Sequence, residues 1–218
     1  MPGCGVYSTL FDTPVYSANV FEHDEACVLQ HVSAMTGDLD AVVTISVYLL
    51  DEDAESPTDG TLLESVTGTF PYAGYHRLTL PEKLLFPAGS CVGITVLQKV
   101  PGDKYALVNT FGNSKEANAP GWTSYSVGVI NPGESFVSFE EGRWLDWSAI
   151  TDGIVQEGNC ASLAFDNLPI KGYVYPLDGI RQVHELDSWL PVAGGTAAAC
   201  RRTARQIGTK KCTFYKEE

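Results

Sequence analysis

The sequence predicts an all-β fold: a two-layer antiparallel β-sandwich of the jelly-roll kind, followed by a short, irregular or helical C-terminal appendage. Three observations carry this expectation. Several short segments alternate apolar and polar residues with period two, which buries one face of a strand and wets the other. Turn-forming stretches separate these segments, in a chain of 218 residues with 21 glycines and 12 prolines. No amphipathic helical pattern intervenes to cover a parallel sheet, so two sheets must cover each other.

Residues 1–17 read as an N-terminal extension, 18–174 as the sandwich body and 175–218 as the appendage. The first clear strand is expected at 26–34. The segment VVTISVYLL, 42–50, follows: Val43, Ile45, Val47 and Leu49 share one face, and Thr44, Ser46 and Tyr48 the other. The turn-rich DEDAESPTDG separates it from strands expected at 61–67 and 75–80. CVGITVL, 91–97, repeats the alternation with Val92, Ile94 and Val96 on one side. Further strands are expected at 104–109, 134–139 and 160–165. Between them, residues 111–131 form a long insertion of weak periodicity, the kind of loop that often carries function. Beyond about 174, YPLDGIRQVHELDSWLP reads as linker with a helical turn. AGGTAAACRRTARQIG reads as a short helix bracketed by glycines.

Charge narrows the function classes. The chain holds 14 basic and 27 acidic residues, net −13. Residues 200–218 hold six basic and two acidic of these, net +4, leaving 8 basic and 25 acidic, net −17, for residues 1–199. An acidic body disfavours nucleic acid and anionic surfaces, and the tail is too short to reverse that. No apolar run approaches the roughly 18 residues of a membrane helix, so no membrane insertion is expected.

A papain-like site needs a cysteine nucleophile beside a histidine. Cys4, Cys27, Cys91 and Cys160 have no recognisable nucleophile context, and His23, His31, His76 and His184 are the available bases. The GxSxG and HExxH signatures are absent. A non-catalytic module is therefore expected; the enzymatic alternative is a cysteine hydrolase with scattered site residues. The six cysteines form no CxxC pair, which argues against a structural zinc site. Their spacing suits disulfides and buried free thiols alike. For an exported protein one or more disulfides are expected, and Cys200 with Cys212 closes the shortest loop.

No cofactor is expected. Calcium is the one candidate, at the alternating carboxylates Asp51, Asp53 and Glu55, but the EF-hand spacing is absent. The run Glu22, His23, Asp24, Glu25 reads as a solvated loop, because neighbours on extended chain point in opposite directions.

The aromatic residues point to binding. Tryptophan and tyrosine stack on sugar faces and anchor protein partners at low entropic cost. Trp122 in the insertion, with Trp144 and Trp147, forms the expected ligand patch, and Tyr72 and Tyr75 are further candidates. Glu140, Glu141 and Asp146 lie close to these tryptophans in sequence and can accept hydrogen bonds from sugar hydroxyls. The competing account has Trp144 plugging the end of the sandwich while the carboxylates stay hydrated.

Read together, AGYHRLTL, the glycine-bounded AGSCVGITV and ESFVSFEEGRW, in that order, resemble the lectin-like domain attached to papain-family (C1) cysteine peptidases of anaerobic and gut bacteria. The resemblance covers roughly residues 15–174. The aspartate that follows the tryptophan in that family is present as Asp146. The cysteine-bearing basic tail has no counterpart in it. The resemblance implies a β-sandwich that accompanies a papain-like peptidase on a secreted or cell-surface protein and binds carbohydrate or a cell-wall polymer. A structural spacer or protein–protein docking module is the alternative role. No set of sugar-binding residues is carried over by the resemblance.

Overall fold

The computed structural model describes residues 5–114, 128–140, 142–158, 163–176 and 215–216. These residues form two packed sheets. In chain order the elements are β1 (Gly5–Phe11), β2 (Tyr16–Glu22), β3 (Cys27–Thr36), β4 (Ala41–Leu50), β5 (Gly60–Phe70), β6 (Gly74–Phe86) and β7 (Cys91–Val100). There follow β8 (Lys104–Asn113), β9 (Ser135–Glu140), β10 (Arg143–Asp146), α1 (Trp147–Glu157), β11 (Leu163–Phe165), β12 (Ile170–Pro176) and β13 (Tyr215–Lys216). The large sheet runs β1-β8-β7-β2-β9-β10, with β4 and then β5 on the other flank of β7 and β11 beside β8. The small sheet runs β13-β12-β3-β6. Every pairing is antiparallel except β12 with β13. The expected antiparallel sandwich is the fold.

Period-two alternation builds the interface between the layers. Val43, Ile45 and Val47 of β4 and Val92, Ile94 and Val96 of β7 are buried against Leu29, Val32 and Phe86 of the small sheet. Each such side chain, fully withdrawn from water, stabilises the fold by roughly 1.5–3 kcal/mol. Leu49 packs at the margin of this core. In β7 burial is continuous, because Gly93 and Thr95 on its other face are covered as well. The loop between β4 and β5 lies over Gly93, where any Cβ would overlap the Pro57 carbonyl oxygen.

Two features depart from the expectation, at residues 5–11 and 147–157. Residues 5–11 are not an extension: β1 pairs along its whole length with β8, from Gly5 opposite Phe111 to Phe11 opposite Tyr105. Of the strand expected at 160–165, residues 163–165 form β11, and 160–162 lie outside the described residues. Residues 147–157 form a helix within the body. Asp146 caps it, accepting from the Ser148 backbone N–H at 2.8 Å, and the Gly158 N–H closes its end on the Ile154 carbonyl. Of the C-terminal region expected as an appendage, residues 177–214 lie outside the described residues. Among those described, no helix is long and apolar enough to cross a membrane.

Candidate functional site

The tryptophan end of the large sheet is built by a bulge. β10 pairs with β9 from Arg143 opposite Glu140 to Asp146 opposite Phe136, and the register shifts between Arg143 and Leu145. Trp144 sits at that shift, and a bulge re-aims the side chain it carries. The indole turns onto the loop between β4 and β5: its Nε1–H donates to Thr58 Oγ1 at 3.0 Å. Its ring stands edge-on to Tyr16 of β2, with centroids 6.5 Å apart. Trp144 is thus half-buried and fixed in orientation. On the same hairpin Glu140 and Arg143 stand in solvent, their charges 3.8 Å apart. An ion pair so exposed contributes little.

The other expected site residues divide. Trp147 is buried, at 3 % exposure, and packs edge-on against Phe165 at 5.9 Å. It belongs to the core, so the ligand patch loses it. Asp146 is committed on both oxygens: Oδ1 accepts from the Ser148 N–H and hydroxyl, and Oδ2 from the Gly133 N–H at 2.7 Å. It ties α1 to the segment that enters β9. Trp122 and Glu141 lie outside the described residues. Among the described residues, Glu140 thus pairs with Arg143, Trp144 meets Thr58 and Tyr16, and Asp146 has an architectural task.

Carboxylates fix the whole stretch from 128 to 134. Val129 N–H donates to Asp166 Oδ1 at 2.7 Å. Glu134, itself buried, accepts from Asn131 Nδ2 and, at 2.8 Å, from Asn167 Nδ2. Ser135 Oγ lies between Asn19 Oδ1 at 2.7 Å and Asn167 Oδ1 at 3.0 Å, and Asn19 Nδ2 donates to the Leu168 carbonyl at 2.8 Å. Partial burial raises the Asp166 pKa, and the Val129 hydrogen bond offsets only part of that.

A second surface covers the outer face of the small sheet. Register places Lys171, Ser33 and Arg77 in one row across β12, β3 and β6, and Tyr173, His31 and Thr79 in the next. Tyr75 stands two residues from Arg77 on the same face, opposite Met35. The cations reach diagonally across Ser33. Lys171 Nζ lies 4.5 Å from the centre of the Tyr75 ring, and Arg77 Cζ lies 5.4 Å from that of Tyr173. Ser33 Oγ meets the Tyr173 hydroxyl at 3.3 Å. Tyr75 was a candidate from sequence. Lys171 and Tyr173 were not, although the alternation of KGYVY, 171–175, carries the signal.

Neither described cysteine has the environment of a nucleophile. Cys27 is a buried free thiol whose pKa desolvation pushes up to about 12. Cys91 is disulfide-bonded. Since Cys27 is free, the partner of Cys91 is one of Cys4, Cys160, Cys200 and Cys212, all outside the described residues. The expected Cys200–Cys212 bridge lies there too. Among the described residues no group of three His, Cys, Asp or Glu side chains is placed to hold a metal ion. Within the calcium candidate loop, Asp59 caps the turn by accepting from the Glu55 and Ser56 N–H groups.

The family model described as "Lectin like domain" matches residues 3–161. Among solved structures, the chain is similar to the cysteine protease and lectin-like domains of Cwp84, a surface layer associated protein of Clostridium difficile. Identity is 18 % and the TM-score 0.49, over 78 % of this chain and 35 % of that one. A structure of the clostridial cysteine protease Cwp84 after propeptide cleavage gives the same identity and TM-score, over 78 % of this chain and 39 % of that one. This chain thus spans little more than a third of the length of either. No curated protein sequence matches it.

Proposed function

The chain belongs to the lectin-like domain family, and from that premise we propose that it is a non-catalytic accessory module that binds carbohydrate or a cell-surface polymer. The observation that carries this reading is the bulge at Trp144. A half-exposed indole held by Thr58 and Tyr16 offers an apolar face whose orientation is already fixed, so little entropy is lost when a sugar ring stacks on it. The exposed Glu140–Arg143 pair on the same β9–β10 hairpin supplies an acceptor and a donor for hydroxyls. The buried Cys27 thiol and the bonded Cys91 support the absence of cysteine chemistry in the described body.

We propose a papain-like peptidase as the companion of this module and the cell surface as its place of action. The motifs AGYHRLTL and ESFVSFEEGRW support this, because in the family they resemble such domains accompany a peptidase.

The test is a glycan array read with the wild type, Trp144→Ala and Trp122→Ala. Binding to neutral glycans that falls about tenfold or more with Trp144→Ala is the expected result. Binding indifferent to Trp144 removes the tryptophan end as the site. No binding on a broad array, together with retention by a peptidase domain, replaces the lectin reading with a docking one.

A further inference from the structure

The outward face of the large sheet carries the Trp144 indole, and register shows what lies beside it. Tyr16 of β2, which the indole meets edge-on, stands in one row with Leu97 of β7, Thr44 of β4 and Thr67 of β5. The next row runs Ala18, Thr95, Ser46 and Ser65. A third holds Gly93, where the loop between β4 and β5 crosses the face at Pro57 and Thr58. Burial falls along the first two rows. Ala18 and Thr95 are buried, Leu97, Thr44 and Ser46 are half-buried, and Ser65 and Thr67 are exposed. The strip is thus covered at the Trp144 end and opens towards β5, the last strand on that flank.

Neither row holds a charged residue, in a chain with 14 basic and 27 acidic ones. The open part offers hydroxyls instead, fixed in two rungs across β4 and β5. Thr44 Oγ1 lies 2.9 Å from Thr67 Oγ1, and Ser46 Oγ lies 3.0 Å from Ser65 Oγ. A hydroxyl has one proton and two lone pairs. A rung that spends one proton between its members therefore keeps the other proton, with lone pairs, for a third group. Between these rungs and Tyr16 stands Leu97, an apolar floor. Strands lie about 4.8 Å apart, so the row from Tyr16 to Thr67 spans about 14 Å, room for roughly three sugars end to end.

We infer that this strip continues the Trp144 site as a groove for a linear, uncharged glycan, bound over consecutive sugars, with Thr44, Thr67, Ser46 and Ser65 as specificity-determining residues. The inference rests on the carbohydrate reading above and adds its ligand class. The indole takes one sugar, Leu97 meets the apolar face of the next, and the rungs exchange hydrogen bonds with the hydroxyls of the one beyond. A charged polymer would give up hydration here with no counter-charge in either row, and the acidic body repels a polyanion.

The experiment is affinity electrophoresis of the full chain through gels containing hydroxyethyl-cellulose, glucomannan or glycol chitin. Carboxymethyl-cellulose is the charged counterpart of the first. Oligosaccharides of the retaining polymer, in increasing length, serve as competitors. Retardation on at least one neutral polymer is expected, and less on carboxymethyl-cellulose. Competition should strengthen about tenfold or more from the single sugar to roughly three sugars, and then level off. Thr44→Val with Thr67→Val replaces a bonded pair by apolar groups of the same shape, a change that leaves the fold in place by circular dichroism. It should weaken retardation about tenfold and leave competition by the single sugar unchanged. Ser46→Ala with Ser65→Ala tests the second rung in the same way. Retardation lost with Trp144→Ala but unchanged by both paired substitutions overturns the groove and leaves the tryptophan site standing. Retardation on none of the neutral polymers, equal retardation on carboxymethyl-cellulose, or competition indifferent to length overturns it as well. Trp144-dependent binding on the glycan array separates each of these outcomes from failure of the carbohydrate reading itself.

Discussion

Asp166 shows how one side chain here trades its own hydration for order elsewhere. Its carboxylate holds the Val129 N–H and is half-buried in doing so, and the desolvation raises its pKa above the ordinary value. A carboxyl whose folded pKa is raised holds its proton more tightly in the folded chain. Its contribution is full below the unfolded pKa, near 3.9, and is lost as pH rises through the folded value. At neutral pH the ionised group therefore costs stability. Asp166→Asn keeps an acceptor for Val129 and removes the charge. It is expected to raise the unfolding free energy read from urea denaturation at neutral pH, by no more than about 1 kcal/mol given the half-exposed site, and to leave it unchanged below about pH 3.5. An equal gain at both pH values rejects the electrostatic origin. Asp146 makes the complementary point. In sequence it looked like an acceptor for sugar hydroxyls, yet its oxygens are taken by the helix cap and by Gly133. Nothing in RWLDW distinguishes these uses, because they depend on a segment thirteen residues upstream.

At the level of elements, the loop between β4 and β5 is the support of the tryptophan end. It lies on Gly93 through Pro57 and holds the Trp144 indole through Thr58. Gly93→Ala places a methyl group where the Pro57 carbonyl sits, so the loop must move. The expected cost is about 1–3 kcal/mol in a denaturation curve. Fluorescence of Trp144 should shift towards that of an exposed indole, measured against Trp144→Phe in the same background. An unchanged spectrum dissociates the loop from the tryptophan. The elements that sequence alone revealed, β4 and β7 foremost, are those where one face or both meets the apolar core and the alternation is clean. β2 escaped because Ser17 and Asn19 are buried polar residues, satisfied by the Val96 carbonyl of β7 and by the Leu168 and Ile170 carbonyls at the start of β12. β1 escaped because Val6, Tyr7 and Leu10 remain exposed, so its place rests on backbone pairing with β8. α1 buries only Trp147, Ser148 and Thr151, too narrow a stripe to register as a helix. The tryptophan end was legible as a cluster but not in its division of labour. The crossed contacts of Lys171 with Tyr75 and of Arg77 with Tyr173 span β12, β3 and β6, and only register assembles them.

For the whole molecule, the cysteines report how the fold is closed. Six cysteines less the two of the Cys91 bridge leave at most four thiols to be titrated in denaturant without reductant, provided the protein is made under oxidising conditions. Before denaturation Cys27 should stay unlabelled at mildly alkaline pH, since its thiol is buried and holds its proton to about 12. Reducing the bridge should lower stability by about 2–4 kcal/mol. Six titratable thiols, or ready labelling of Cys27 in the native state, contradicts this picture. The order of the sheets has a consequence for how the chain comes into being. β3 and β6 lie in the small sheet, while β2, β4, β5 and β7 lie in the large one, and β12 reaches its place beside β3 only at Ile170–Pro176. Neither layer is made from one continuous stretch. A ribosome that has released the first hundred residues has released the centre of the large sheet but only half of the cover for its apolar face. The nascent polypeptide must therefore carry a long, unfinished surface until the last strands emerge, a state that invites holding by chaperones.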